Sequence, residues 1–309
     1  MKLKLKTQSP ETLRRCLAQI NTFRNFVVLR FTPDELLAIL ANVSLLLEEP
    51  QVWCKFPMYA IFSEVEVVSQ RDNTIMVEIN IDLFLQALRN FDRANSRDFN
   101  IRLQRKEGAG KRSAYMALQY TEVANAALNH TLRIPVKILK GNVLMKVPEL
   151  PRVDMMMRLP QEFAAMFRRL EKFRSAINHD CVTIRATRRD GGSLLFLLEE
   201  ADNYKVCLAW KARLELQESL ELDSLAAVAD VAAELGAQRS PSSSDALNLP
   251  ADVEVTVKLH DWRLAHKIVG SCKAMVFLMC HNNACVIHCL LDDAEEVELM
   301  FYISGIRSD

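Results

Sequence analysis

The chain is built twice from one pattern, and this constrains its fold more than its composition does. Residues 5–31, LKTQSPETLRRCLAQINTFRNFVVLRF, run strand, proline, amphipathic helix, strand. Residues 157–186, MRLPQEFAAMFRRLEKFRSAINHDCVTIRA, run the same way. Each half then has a strand that passes directly into a helix: MVEINIDLFLQALR at 76–89 and EVTVKLHDWRLAHKIV at 254–269. Identity between the halves is low. The order of elements is shared, and a shared order marks a duplicated domain. Elsewhere period-two alternation dominates. It predicts strands over 2–7, 26–31, 36–40, 52–56, 61–68, 74–80, 100–106, 114–120 and 132–138. In the second half it predicts them over 154–159, 181–186, 193–198, 204–210, 253–259, 273–280, 285–291 and 297–303. The fold class is therefore α+β, in two similar domains of antiparallel sheet with two helices each. The domains fall at 1–138 and 153–309. A linker at 139–152 holds Gly141, Pro148 and Pro151.

An insertion at about 215–250 interrupts the second domain. Glu215, Glu218, Glu221, Asp223, Asp230 and Glu234 lie in a stretch without Lys or Arg, and Ser240-Pro241-Ser242-Ser243-Ser244-Asp245 follows. Such a segment buries little, so we expect mobility there, with one short helix at 225–235.

Half of the 309 residues are hydrophobic and a quarter are charged, which excludes wholesale disorder. Lys+Arg and Asp+Glu are both 39, so any nucleic-acid surface must come from sorting charge in space rather than from bulk charge. The apolar run at 36–47 is too short for a membrane helix, which needs about 20 residues. No apolar core of signal-peptide length is visible at the start. The eight cysteines lie mostly in apolar runs, and with no secretory signal they read as reduced thiols.

The charge is sorted on the helices. At about 100° per residue, Leu13, Cys16, Leu17, Ile20 and Phe23 share one side of the first helix, which opens at Ser9-Pro10-Glu11 with Ser9 as its cap; Arg14 and Arg15 lie opposite. In the helix at 82–93, Phe84, Ala87, Leu88 and Phe91 face inward, with Arg89 and Arg93 outward. In the helix opened by Pro160, Phe163, Met166, Phe167, Leu170 and Phe173 face inward; Arg168, Arg169 and Lys172 face outward. In the helix from Asp261, Trp262, Leu264, Ala265, Ile268 and Val269 face inward, while Arg263, His266 and Lys267 face outward. A solvated surface explains any one of these faces. Four of four point to a common cationic surface that touches phosphates without reading sequence.

Catalytic and metal motifs are weak. Cys280, His281, Cys285, His288 and Cys289 lack the spacing of a known zinc finger, and the segment reads better as a buried hairpin. Gly108-Ala109-Gly110-Lys111-Arg112-Ser113 has Arg105 where a phosphate loop needs glycine, so it reads as a basic turn. No G-x-S-x-G, H-E-x-x-H or G-x-G-x-x-G occurs. The pattern favours a binding protein over an enzyme, with no cofactor and no metal.

This duplicated, strand-rich plan with basic helices resembles the sliding clamp of DNA, the PCNA-like superfamily. Within it the chain resembles the HUS-type subunit of the nine-one-one DNA-damage checkpoint clamp. The suggestive stretches are Met1-Lys2-Leu3-Lys4-Leu5-Lys6, Leu132-Arg133-Ile134-Pro135-Val136-Lys137-Ile138, Leu159-Pro160 with its helix, and Met300-Phe301-Tyr302-Ile303-Ser304. The resemblance implies helices lining a ring, sheets outside, and a non-catalytic subunit of a heterotrimer around double-stranded DNA. It further implies two related clamp subunits, an RFC-like clamp loader, checkpoint-kinase and repair partners, no membrane, and a nuclear location. DNA-facing residues would be Arg14, Arg15, Arg89, Arg93, Arg168, Arg169, Lys172, Arg263 and Lys267. Ring closure would use edge strands at Ala114, Tyr115, Met116, Ala117 and Leu118 and at Tyr204, Val206, Leu208 and Trp210. Partner peptides would dock at Leu139, Val143 and Leu144. A homotrimeric processivity clamp and a protein scaffold that never touches DNA are the alternative expectations.

Overall fold

The computed structural model describes residues 1–7, 9–40, 50–93, 96–108, 111–123, 128–139, 152–172, 181–200, 204–211, 214–216, 250–270, 272–291 and 296–306. The chain divides into two compact units. One holds Met1–Val43, Val52–Leu144 and Leu291–Leu299; the other holds Ser44–Gln51, Met145–Leu290 and Met300–Asp309.

In the first unit β1 (Lys2–Thr7) leads to α1 (Glu11–Ile20). Then come β2 (Phe26–Phe31), β3 (Glu35–Leu40), β4 (Gln51–Pro57), the single turn α2 (Met58–Ile61), β5 (Glu64–Val68) and β6 (Ile75–Asn80). Helix α3 (Ile81–Arg93) continues straight from β6, and β7 (Ser96–Gly108), β8 (Lys111–Glu122) and β9 (Leu128–Ile138) follow. All pairings are antiparallel, in the order β4-β3-β2-β6-β9-β8-β7-β1-β5.

The second unit repeats this. Its elements are β10 (Met155–Leu159), a 3-10 turn (Gln161–Phe163), α4 (Ala164–Glu171), β11 (Cys181–Thr187), β12 (Ser193–Glu200), β13 (Tyr204–Trp210) and β14 (Glu215–Leu216). Then come β15 (Asp252–Lys258), α5 (Leu259–Val269), β16 (Ala274–Cys280), β17 (Ala284–Leu290) and β18 (Glu298–Ser304). The orders β13-β12-β11-β15 and β18-β17-β16-β10-β14 follow the first unit strand for strand, except that among the described residues no β15–β18 pairing matches β6–β9. The duplication read from the sequence is thus a duplication of topology.

The helices sit where the alternation leaves apolar faces. Leu13, Cys16, Leu17 and Ile20 of α1 are buried, as are Phe84, Ala87, Leu88 and Phe91 of α3. Phe91 packs edge-on to Phe99 of β7 and Tyr120 of β8, which fixes the face of the sheet that α3 covers. In the second unit Phe163, Met166, Phe167 and Leu170 are buried, and so are Trp262, Ala265, Ile268 and Val269. Phe167 stacks on Trp262 at 4.6 Å, and Trp262 meets Phe277 of β16.

Two local expectations are corrected. Ser9 does not cap α1: its N–H donates to the Thr7 hydroxyl, and Pro10 stands at the cap, where its carbonyl accepts from Arg14 N–H at 2.8 Å. Nor is the strand at 114–120 an edge. β8 pairs with β7 along one side and with β9 along the other, so its backbone groups are already satisfied. The glycine-rich stretch closes the β7–β8 hairpin, with Gly108 opposite Lys111. The short helix expected at 225–235 lies outside the described residues.

Candidate nucleic-acid interface and assembly edges

Each unit places its two helices side by side. In the first, Arg14 Nε lies 2.6 Å from Asp92 Oδ2, and Asn21 Nδ2 donates to Asp82 Oδ1 at 2.6 Å, so α1 and α3 run antiparallel. Arg15, Arg89 and Arg93 are exposed beside them; among the described residues Arg89 and Arg93 make no ion pair. Arg15 donates to the Leu291 carbonyl at 3.1 Å, within the same unit. In the second unit Arg168 Nε donates to His266 Nε2 at 2.7 Å, joining α4 to α5. Arg168, Arg169, Lys172 and Lys267 are exposed and Arg263 is half-buried beside His260. The nine cations expected to face DNA therefore gather on two surfaces, one per unit, each on a helix pair.

The open backbone edges differ from expectation in the first unit. Among the described residues, 128–135 of β9 pair with β8 alone; only Val136, Lys137 and Ile138 reach across to β6. Leu128 and Leu132 lie exposed on this edge. The edge lies one strand beyond the 114–118 stretch that the resemblance implies. Pro135 was the available signal, because proline donates nothing to a ladder and is confined to edges. Among the described residues of the second unit β13 pairs with β12 alone, so residues 204–210 form an edge there. There Val206, Leu208 and Trp210 are half-buried, Trp210 packing on Phe163, while the Tyr204 side chain is outside the described set. Of the expected peptide-docking residues, Leu139 donates its N–H to the Met76 carbonyl; Val143 and Leu144 lie outside the described residues.

The cysteine–histidine hairpin is the buried β16–β17 pair. His281 sits in the turn and its Nδ1 accepts the Glu254 N–H; His288 is buried in β17. Burial pushes the Cys280 thiol up to about 12, with the Asp154 charge adding to it, and also raises Cys285 and Cys289. Thiols held protonated are poor metal ligands. Among the described residues no group of three or more His, Cys, Asp or Glu could hold a metal ion.

Comparison with known proteins agrees with this geometry. The chain is 25% identical to the checkpoint protein hus1 of Schizosaccharomyces pombe, over 98% of this chain and 99% of that one. It is 23% identical to the DNA damage checkpoint control protein MEC3 of Eremothecium gossypii, over 94% of this chain and 93% of that one. Its fold is shared with Proliferating Cellular Nuclear Antigen from Entamoeba histolytica (TM-score 0.61, 13% identity, 98% of each chain). It is shared equally with a PCNA2–PCNA3 complex chain from Sulfolobus tokodaii (TM-score 0.59, 13% identity, 98% of each chain). These matches give the duplicated sliding-clamp fold. The model of the Hus1-like protein family matches residues 1–307, and the chain belongs to that family.

Proposed function

We propose that this chain is a non-catalytic subunit of a three-membered ring clamp that encircles duplex DNA without reading its sequence. The observation that carries the reading is the pair of cationic helix surfaces, one in each unit of a sliding-clamp fold. Such surfaces suit phosphate contacts, which position a protein on DNA but carry no sequence information. The names of the curated relatives support a role in the DNA-damage checkpoint; the proposal extends that role to checkpoint-kinase activation and repair at damaged or stalled DNA in the nucleus. The open edges at β9 and β13 suit closure by strand pairing between chains, since unpaired edges are otherwise sites of aggregation. The two neighbours in the ring are related clamp subunits, and an RFC-like loader opens it.

Light scattering on the full chain tests the heterotrimeric form. A mass near 35.2 kDa is expected if the proposed neighbours are different chains and not copies of this one. A mass near 3 × 35.2 = 105.6 kDa would overturn that form in favour of a self-sufficient processivity clamp.

A further inference from the structure

The sheet face opposite α3 in the first unit is sorted by charge in a way the clamp function does not use. Cross-strand register defines its rows: Glu64, Lys6, Asn100, Gln119 and Thr131 in one, and Glu66, Lys4, Arg102, Ala117 and Arg133 in the next. At the β5–β1 end every lysine has a carboxylate. Lys2 lies 2.6 Å from Glu66, Lys4 lies 3.3 Å from Glu64, and Lys6 lies 3.6 Å from Glu64 and 3.1 Å from Asp98. These pairs raise the Lys6 ammonium pKa, chiefly through Asp98, and lower that of the Glu64 carboxyl, chiefly through Lys4.

Across β7, β8 and β9 the described residues bring one carboxylate to this face, Asp98, and Lys6 engages it. Arg97, Arg102 and Arg133 are exposed there and, among the described residues, make no ion pair. Arg102 and Arg133 both stand opposite Ala117, which is fully buried beneath its neighbours on this face. Two strand spacings of about 4.8 Å put their backbones about 10 Å apart. Gln104 and Gln119 supply amide donors and acceptors between them, and Tyr115 an amphipathic ring.

We propose that this face docks an acidic, extended segment of a partner protein. Charge complementarity carries the assignment. Guanidinium forks bind carboxylates in bidentate fashion, and a flat row of amides suits an extended backbone. Nucleic acid fits less well. Three arginines are sparse against a duplex with one charge per about 1.7 Å, and the cationic helices lie on the opposite face of this sheet. The proposal is independent of the clamp reading.

The test uses the full chain and two labelled peptides of alternating glutamate and serine, one phosphorylated on its serines, followed by fluorescence anisotropy. Binding should weaken at least about tenfold in R102E/R133E and in the milder R102Q/R133Q, and by less in R102K/R133K, which keeps the charge but loses the fork. Melting curves of the Gln variant should match the parent, and duplex DNA binding should be unchanged. Failure of both peptides to bind, or binding that survives both substitutions, would overturn the proposal. Loss of DNA binding in step with peptide binding would assign the face to nucleic acid instead.

Discussion

The two helix pairs occupy equivalent places in a duplicated fold, yet they are joined by different chemistry. The first is bridged by polar groups: Arg14 to Asp92 and Asn21 to Asp82. The second has one polar bridge, Arg168 to His266, over a core of rings, with Phe167 stacked on Trp262 at 4.6 Å and Phe196 and Phe277 closing around the indole at 5.3 and 5.7 Å. A salt bridge between helices engages a cation and leaves carboxylates on the surface, here Asp82 and Asp92. An aromatic stack is buried and leaves the cations outside. In the second pair Asp261 is buried, and Arg169 and Lys172 make no ion pair among the described residues. The second pair is therefore the more electropositive surface, and the first is the more easily parted.

The largest effect should come from the stack. Trp262→Ala removes a fully buried indole and should cost roughly 3–5 kcal/mol in the second unit. Asp92→Asn breaks the bridge of the first pair. With Arg14 and Asp92 side chains 33% and 36% exposed, it should cost only about 0.2–1 kcal/mol. Denaturant melts of the two variants decide this; equal losses would mean that the pairs are held alike and would break the comparison.

A smaller effect should appear in DNA retention. Reversing Arg168, Arg169 and Lys172 should weaken retention by the assembled complex more than reversing Arg15, Arg89 and Arg93. Each lost phosphate contact should reduce the salt slope by about 0.9. Salt titrations of the two triple variants sharpen the comparison. A larger loss from the first triple would show that Asp82 and Asp92 do not blunt that surface.

Much of this was legible in sequence because it depends on local spacing. Period-two runs located the strands, and the wheel sorted Arg89 from Phe91 and Arg168 from Phe167 without any tertiary knowledge. What failed depends on partners distant in the chain. The strand at 114–120 looks like an edge only until β9 is placed beside it, and nothing within β8 reports that pairing. Ser9 has the chemistry of a cap, but its N–H is drawn back to Thr7. The unpaired arginines at 102 and 133 are 31 positions apart in sequence and face one another only through the register of β7, β8 and β9.

The most direct test of the clamp account is retention on DNA of two topologies. The complex purified through a tag on this chain would be loaded on nicked circular plasmid and washed at high salt, before and after linearisation with a restriction enzyme. Encirclement predicts that the complex stays on the circle and slides off the linear molecule. Equal loss from both, or equal retention on both, would contradict it.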